Sequence, residues 1–190
     1  MTVDLEPQAA EVSRVVAGVR EDQLADPTPC AGTSVAGLLD HLAGLTLAFR
    51  LGAEKEPQQG SPTADADQLP ADWRDLLPDR LDALVAAWRE PAAWEGFTEV
   101  GGAQLPGAAM GVVAANEVLV HGWDLAVATG QPYRADPTTA LICLDFAEGL
   151  PAEMRSSMFG PVVPIADDAP VLDRLLGLAG RDPGWAPGHR

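Results

Sequence analysis

Residues Gly107 to Thr129 read GAAMGVVAANEVLVHGWDLAVAT, a predominantly apolar stretch of helical length. A helix on the surface of a globular protein keeps a polar face, whereas this one is apolar almost all round, which predicts a central, buried position. Between Gly111 and Ala128 the only titratable side chains are Glu117, His121 and Asp124, set among Val112, Val113, Val118, Leu119, Val120 and Leu125. At about 100° per residue, with Glu117 as origin, His121 falls at about 40° and Asp124 at about 340°. The three therefore share one stripe of the helix. Burying such groups costs several kcal/mol unless something compensates them.

Outward from this run, the pattern is helical throughout. Towards the N-terminus, Leu5 to Gln23 carries Val12, Val15, Val16 and Val19 at helical spacing, with acidic residues early and Arg20 late. A turn-rich stretch, Asp26-Pro27-Thr28-Pro29-Cys30-Ala31-Gly32, follows, and Thr33 or Ser34 is placed to cap the next helix. That helix runs to Ala53, with Val35, Leu38, Leu39, Leu42, Leu45 and Phe49 on one face and His41 beside it. Glu54 to Pro70 is polar and reads as a loop, open to a role as a lid. Asp72 to Arg89 reads as a third helix that Pro78 kinks or restarts. Ala92 to Pro106, with Gly101-Gly102, is a short hairpin or an irregular connection. Beyond the central run, a helix from Pro137 to Met154 is interrupted near Gly149-Leu150-Pro151, a short one spans Pro170 to Leu178, and the chain after Gly180 is rich in Pro and Gly. No βαβ alternation is present. The expected fold is all-α, a four-helix bundle with additional short helices and loops, in a single domain over 1–182 with a tail at 183–190.

The 190 residues suit one domain, and 47% hydrophobic against 21% charged residues is a globular balance. With 12 basic and 28 acidic residues the formal net charge is -16, which makes nucleic acid and anionic membrane surfaces repulsive partners. The first ten residues lack the basic and apolar regions of a signal peptide, and no apolar run is expected to reach the roughly 18 to 20 residues of a membrane span. Cys30 and Cys143 match no zinc-finger or redox spacing and read as small buried hydrophobes in a reducing, cytoplasmic setting.

A glutamate followed four residues on by a histidine offers one oxygen and one nitrogen to the same divalent ion. His41 is the natural third ligand, since the chain has three histidines and the last, His189, lies in the tail. Two histidines and a glutamate leave a coordination position open, the arrangement of catalytic rather than structural sites. The same Glu-His pair also suits a plain hydrogen bond. Asp124 is placed to orient an imidazole from behind, or to meet Trp123 or a neighbouring helix. Trp123, Thr46, Arg50 and Arg134 are further pocket candidates, each equally suited to structural or solvated roles, while Trp73, Trp88 and Trp94 read as core or interface anchors. A homodimer is compatible with these anchors.

Three stretches, Pro27-Thr28-Pro29-Cys30-Ala31-Gly32, Leu38-Leu39-Asp40-His41-Leu42 and Asn116-Glu117-Val118-Leu119-Val120-His121-Gly122-Trp123-Asp124, resemble the DinB-like metal-binding family. Within it they are most similar to the branch that includes the N-terminal domain of mycothiol-dependent maleylpyruvate isomerase. The resemblance covers most of the chain and implies a four-helix bundle with His41, Glu117 and His121 as ligands to a divalent metal, zinc foremost. It further implies a low-molecular-weight thiol such as mycothiol as cosubstrate, activated at the metal to attack a small-molecule electrophile, in S-transfer or in isomerisation. Two departures stand out: the maleylpyruvate isomerases continue into a C-terminal domain, and Gly32-Thr33-Ser34 lacks the tryptophan that relatives often carry after this glycine. The alternatives are a metal- or ligand-binding protein without catalysis and a metal-dependent hydrolase with Asp124 as general base.

Overall fold

In the computed structural model, which describes residues 2–56, 60, 62–151, 154–155 and 159–188, the central run is a single helix. The elements in chain order are α1 (Glu6–Ala17), α2 (Val35–Ala53), α3 (Trp73–Arg89), strands β1 (Phe97–Val100) and β2 (Ala103–Pro106), α4 (Gly107–Ala128), α5 (Pro137–Gly149) and α6 (Val171–Leu178). Single 3-10 turns intervene at Glu21–Gln23, Ala66–Gln68 and Pro91–Trp94. Helices α1, α3, α2 and α4 close a ring, each packed on the next, while α5 lies on the outside of α4 and α6 on α5. The fold is all-α, as expected.

The ring is held by the apolar stripes read from the sequence. Val12, Val15 and Val16 of α1, Leu38, Leu39 and Leu42 of α2, Leu77, Leu81 and Leu84 of α3 and Leu119 and Leu125 of α4 are all essentially inaccessible to solvent. Close approach around α4 depends on glycine. A Cβ at Gly122 would lie 2.5 Å from Val12 Cγ2 and 2.6 Å from the Tyr133 hydroxyl, and one at Gly111 would strike the rings of Trp94 and Trp88. Tyr133 itself donates to the Leu119 carbonyl at 2.6 Å and accepts from Gln8 Nε2 at 2.6 Å, so the crossing of α1 over α4 is both apolar and hydrogen-bonded.

Several boundaries differ from the sequence expectation, each for a local reason. Helix α1 stops at Ala17 rather than near Gln23, because Gly18 lies under the Gln131 side chain, whose Nε2 donates to the Val15 carbonyl at 2.9 Å. Helix α2, by contrast, keeps its expected bounds, starting after Ser34, whose side chain accepts from Gly37 N at 3.2 Å. Helix α3 passes through Pro78 without a break. The segment before α4 is a true hairpin: Gly101 and Gly102, at φ 59° and 82°, supply the left-handed pair that a tight two-residue turn demands. Helix α5 ends at Gly149 instead of Met154, ahead of Leu150 and Pro151, with 152 and 153 outside the described residues.

The expected loop over Glu54–Pro70 keeps its described part close to α2. Asp65 N donates to Asp40 Oδ2 at 3.1 Å, and a Cβ on Gly44 would lie 2.9 Å from Pro62. Residues 57–59 and 61 of that loop, and His189 of the tail, lie outside the described residues. Contrary to the expectation about spanning length, α2 is long and apolar enough by those two measures, with a mean hydropathy of 1.2 over its 18-residue window. That window is 67% buried inside the bundle, so its apolarity serves the core.

Candidate metal centre

Helix α2 supplies His41, and α4 supplies Glu117 and His121 one turn apart. Where these helices pack, one ligand atom from each of the three lies within 4.8 Å of the others. The His41 and His121 rings meet edge to face with centroids 5.0 Å apart. His121 Nε2 stands 3.2 Å from Glu117 Oε2, while its Nδ1 stands 3.0 Å from Asp124 Oδ2. The sequence therefore located all three members of the cluster. Its placing of Asp124 behind an imidazole agrees with this geometry.

Asp124 is completely buried and has a second partner that the sequence did not suggest. Arg181, just beyond α6, donates to it in a fork, Nε to Oδ1 at 3.1 Å and Nη2 to Oδ2 at 2.9 Å, and gives Nη1 to the Ala179 carbonyl at 2.8 Å. A fork of this kind fixes a carboxylate in both position and plane. A chain of contacts thus runs from Arg181 through Asp124 to His121. The one signal in the sequence was a lone arginine amid Pro and Gly, which carries no periodicity to reveal its partner.

The electrostatics follow from this arrangement. Burial disfavours the His121 imidazolium, yet the hydrogen bonds to Asp124 and Glu117 outweigh it and lift the pKa from 6.5 to about 10. Burial and the neighbouring His121 push His41 the other way, below its ordinary value. Asp124 is held below the usual carboxylate range despite burial, by its bonds to His121 and Arg181, and Glu117 is held low despite burial chiefly by His121. The raised pKa favours an imidazolium at His121, which donates Nε2–H to Glu117 and Nδ1–H to Asp124, while the shift at His41 favours the neutral ring.

The residues fit a divalent cation. Two imidazoles and a carboxylate are a hard-to-borderline nitrogen and oxygen set suited to zinc and its neighbours. The buried Nδ1 of His41 has no hydrogen-bond partner, an expensive state for a ring nitrogen. His41, Glu117 and His121 would hold such a cation, and Asp124 would then keep the Nδ1–H of His121, as an outer carboxylate does for a metal-binding imidazole.

The cluster opens onto a cavity of about 680 Å³, bounded by Leu45 and Phe49 of α2, Val100 and Gly101 of the hairpin, Asn116 and Val120 of α4, and Cys30, Gly160 and Arg181 from the connecting segments. Cys30 is half-buried in that wall rather than a core thiol, with Thr33 Oγ1 at 3.7 Å from its sulfur. Cys143 is buried, as expected, and burial pushes its thiol up to about 12. The other pocket candidates stand elsewhere. Thr46 Oγ1 is spent on the Leu42 carbonyl at 2.8 Å, Arg50 pairs with Glu54 at 3.6 Å, Trp123 is packed in the core, and the Arg134 backbone is bound to Glu11 on another face. Trp73 and Trp88 are buried, and Trp88 and Trp94 pack edge to face at 5.0 Å, as anchors should.

Comparison with known proteins bears on the fold and the family. Residues 5–126 match the mycothiol maleylpyruvate isomerase N-terminal domain family. Two Mycobacterium tuberculosis proteins described as uncharacterized, MT0763 of strain CDC 1551 / Oshkosh and Rv0738 of strain ATCC 25618 / H37Rv, are each 33% identical over 184 residues, covering 88% of this chain and 90% of theirs. The crystal structure of the mycothiol-dependent maleylpyruvate isomerase shares the fold with a TM-score of 0.58 at 19% identity, covering 75% of this chain and 64% of that one. A histidine-to-alanine mutant of it gives 0.60 at 19% identity, covering 97% and 78%. With the family matched over more than half its length, the chain belongs to the mycothiol maleylpyruvate isomerase N-terminal domain family.

Proposed function

We propose that the protein binds a divalent metal, zinc foremost, through His41, Glu117 and His121, and that it catalyses a thiol-dependent S-transfer or isomerisation. The observation that carries this reading is the convergence of the three ligand atoms within 4.8 Å at the edge of a 680 Å³ cavity. Zinc, when bound, supplies a redox-inert Lewis acid that lowers the pKa of a thiol. The protein's own residues then set the geometry. Asp124 holds the His121 ring through Nδ1, and Arg181 holds Asp124. His41, kept neutral, keeps a ring lone pair free for ligation. Leu45, Phe49, Val100 and Val120 give the space beside the cluster an apolar side, where a thiol and an electrophilic carbon would meet. Attack of the thiolate on that carbon would form the C–S bond of S-transfer as a leaving group departs, and reversible addition to a double bond, rotation about the resulting single bond and expulsion of the same thiolate would give cis–trans isomerisation.

The hydrolase alternative loses its base, because both oxygens of Asp124 are engaged and the residue does not line the cavity. Mycothiol is the thiol that the family name suggests, and a small neutral or anionic electrophile is the partner. The two unpaired cysteines fit a reducing cytoplasm.

Elemental analysis of untagged protein purified without chelator tests the metal. Stoichiometric zinc in the wild type that disappears in Glu117→Ala is the expected result. Protein that holds no metal, and takes up none on addition, overturns the reading. Screening the loaded protein with low-molecular-weight thiols and electrophilic substrates then tests the reaction, with turnover required to stop when the thiol is omitted.

A further inference from the structure

Asn116 is 1% exposed and its Oδ1 has no hydrogen-bond partner, although it precedes Glu117 directly on α4 and lines the cavity. That oxygen accepts nothing among the described residues, whereas other polar side chains of the buried set have clear partners: Gln8, Gln23, Thr28, Thr46, Thr98, Thr129 and Thr139 are all bonded. The cavity it lines has Leu45, Phe49, Val100 and Val120 on its apolar side and His41, Glu117, His121 and Arg181 as its charged and polar groups. A buried acceptor without a donor carries a desolvation cost that no bond within the fold offsets, and an N–H offered from the cavity would offset it. Polar groups positioned in a cavity are the usual means of orienting a ligand.

We propose that Asn116 forms an amide-recognising subsite beside the metal-ligand cluster, selecting low-molecular-weight thiols that carry a neutral amide close to the sulfur. A carboxamide offers one acceptor and two donors, the complement of an amide N–H and C=O. Its soft terminal torsion lets either edge turn towards the ligand. Asn116, Glu117 and His121 line one cavity, so a thiol whose sulfur lies at Glu117 and His121 shares that space with the Asn116 oxygen. This rests on the thiol reading above and adds to it which thiols are chosen. Simple alkyl thiols, with nothing to satisfy the amide, bind in the same place without that contact.

The test uses zinc-loaded protein and two neutral probes, N-acetylcysteinamide and 2-mercaptoethanol, with dissociation constants from calorimetry. Wild type is expected to prefer the amide probe by about tenfold or more. In Asn116→Leu and Asn116→Ala, with zinc content unchanged, the ratio of the two constants is expected to fall to about one. A preference that survives in both variants overturns the proposal while leaving the thiol reading intact, as does a wild type that binds both probes equally. If neither probe binds loaded wild type, the thiol reading fails and the subsite falls with it. Thermal denaturation adds a readout independent of ligand: Asn116→Leu should melt no lower than wild type, and a large drop would assign the amide a structural role instead.

Discussion

Replacing Arg181 with alanine leaves the buried Asp124 carboxylate with His121 alone as its charged partner, and breaking a buried pair from one side costs about 3 kcal/mol or more. The melting temperature of Arg181→Ala should fall by roughly 6–12 °C in a chain of this size, and zinc affinity by about 10- to 100-fold, since the His121 ring loses its fixed support. Calorimetry and metal titration read the two effects, and an unchanged zinc affinity would detach Arg181 from the site. His121 gives a pH signature. With a pKa near 10 in the metal-free protein, its proton must leave when an ion enters at neutral pH. Affinity should therefore climb about tenfold per pH unit through that range. Metal titrations in buffers of different ionisation heat should count the released proton, and a pH-independent affinity would contradict the arrangement. For the metal-free protein the sign reverses. A raised histidine pKa contributes stability that is fully present below about 6.5 and is lost as the pH rises towards 10.

Helix α4 owes its central place to small residues as much as to large ones. Gly122→Ala gains helix propensity but drives a methyl into Val12 and the Tyr133 hydroxyl, so the net effect should be a loss of about 1–3 kcal/mol in chemical denaturation. At the hairpin, Gly102→Val forces a branched residue to φ 82° and should destabilise by about 1–2 kcal/mol. The helices and the Glu117-His121 spacing were legible in the sequence because periodicity is a local property. His41 was reachable because so few histidines compete for the role. The end of α1 and the fork from Arg181 were not legible, since each is set by a partner more than fifty residues away, Gln131 in one case and Asp124 in the other. The hairpin stood between two readings because four-residue strands hold too little pattern to separate from irregular chain. Asn116 was quoted within a motif, but only its unpartnered oxygen in the fold gives it meaning.

The whole molecule carries a net charge of -16 on one small bundle, so self-repulsion opposes the compact state. Its melting temperature should rise between low and moderate monovalent salt as the Debye length shortens to about 10 Å, and a salt-independent melt would show that the acidic groups are too dispersed to matter. The two thiols divide the molecule in another way. Cys143 is sealed in the core, while Cys30 stands in the wall of the cavity that opens on the metal-ligand cluster. An alkylating reagent added to the native protein should thus modify a single sulfur, and its rate measures how open that cavity is. Any molecule that fills the space should slow the labelling in proportion to its occupancy, which gives a protein of unassigned substrate a built-in assay for finding one.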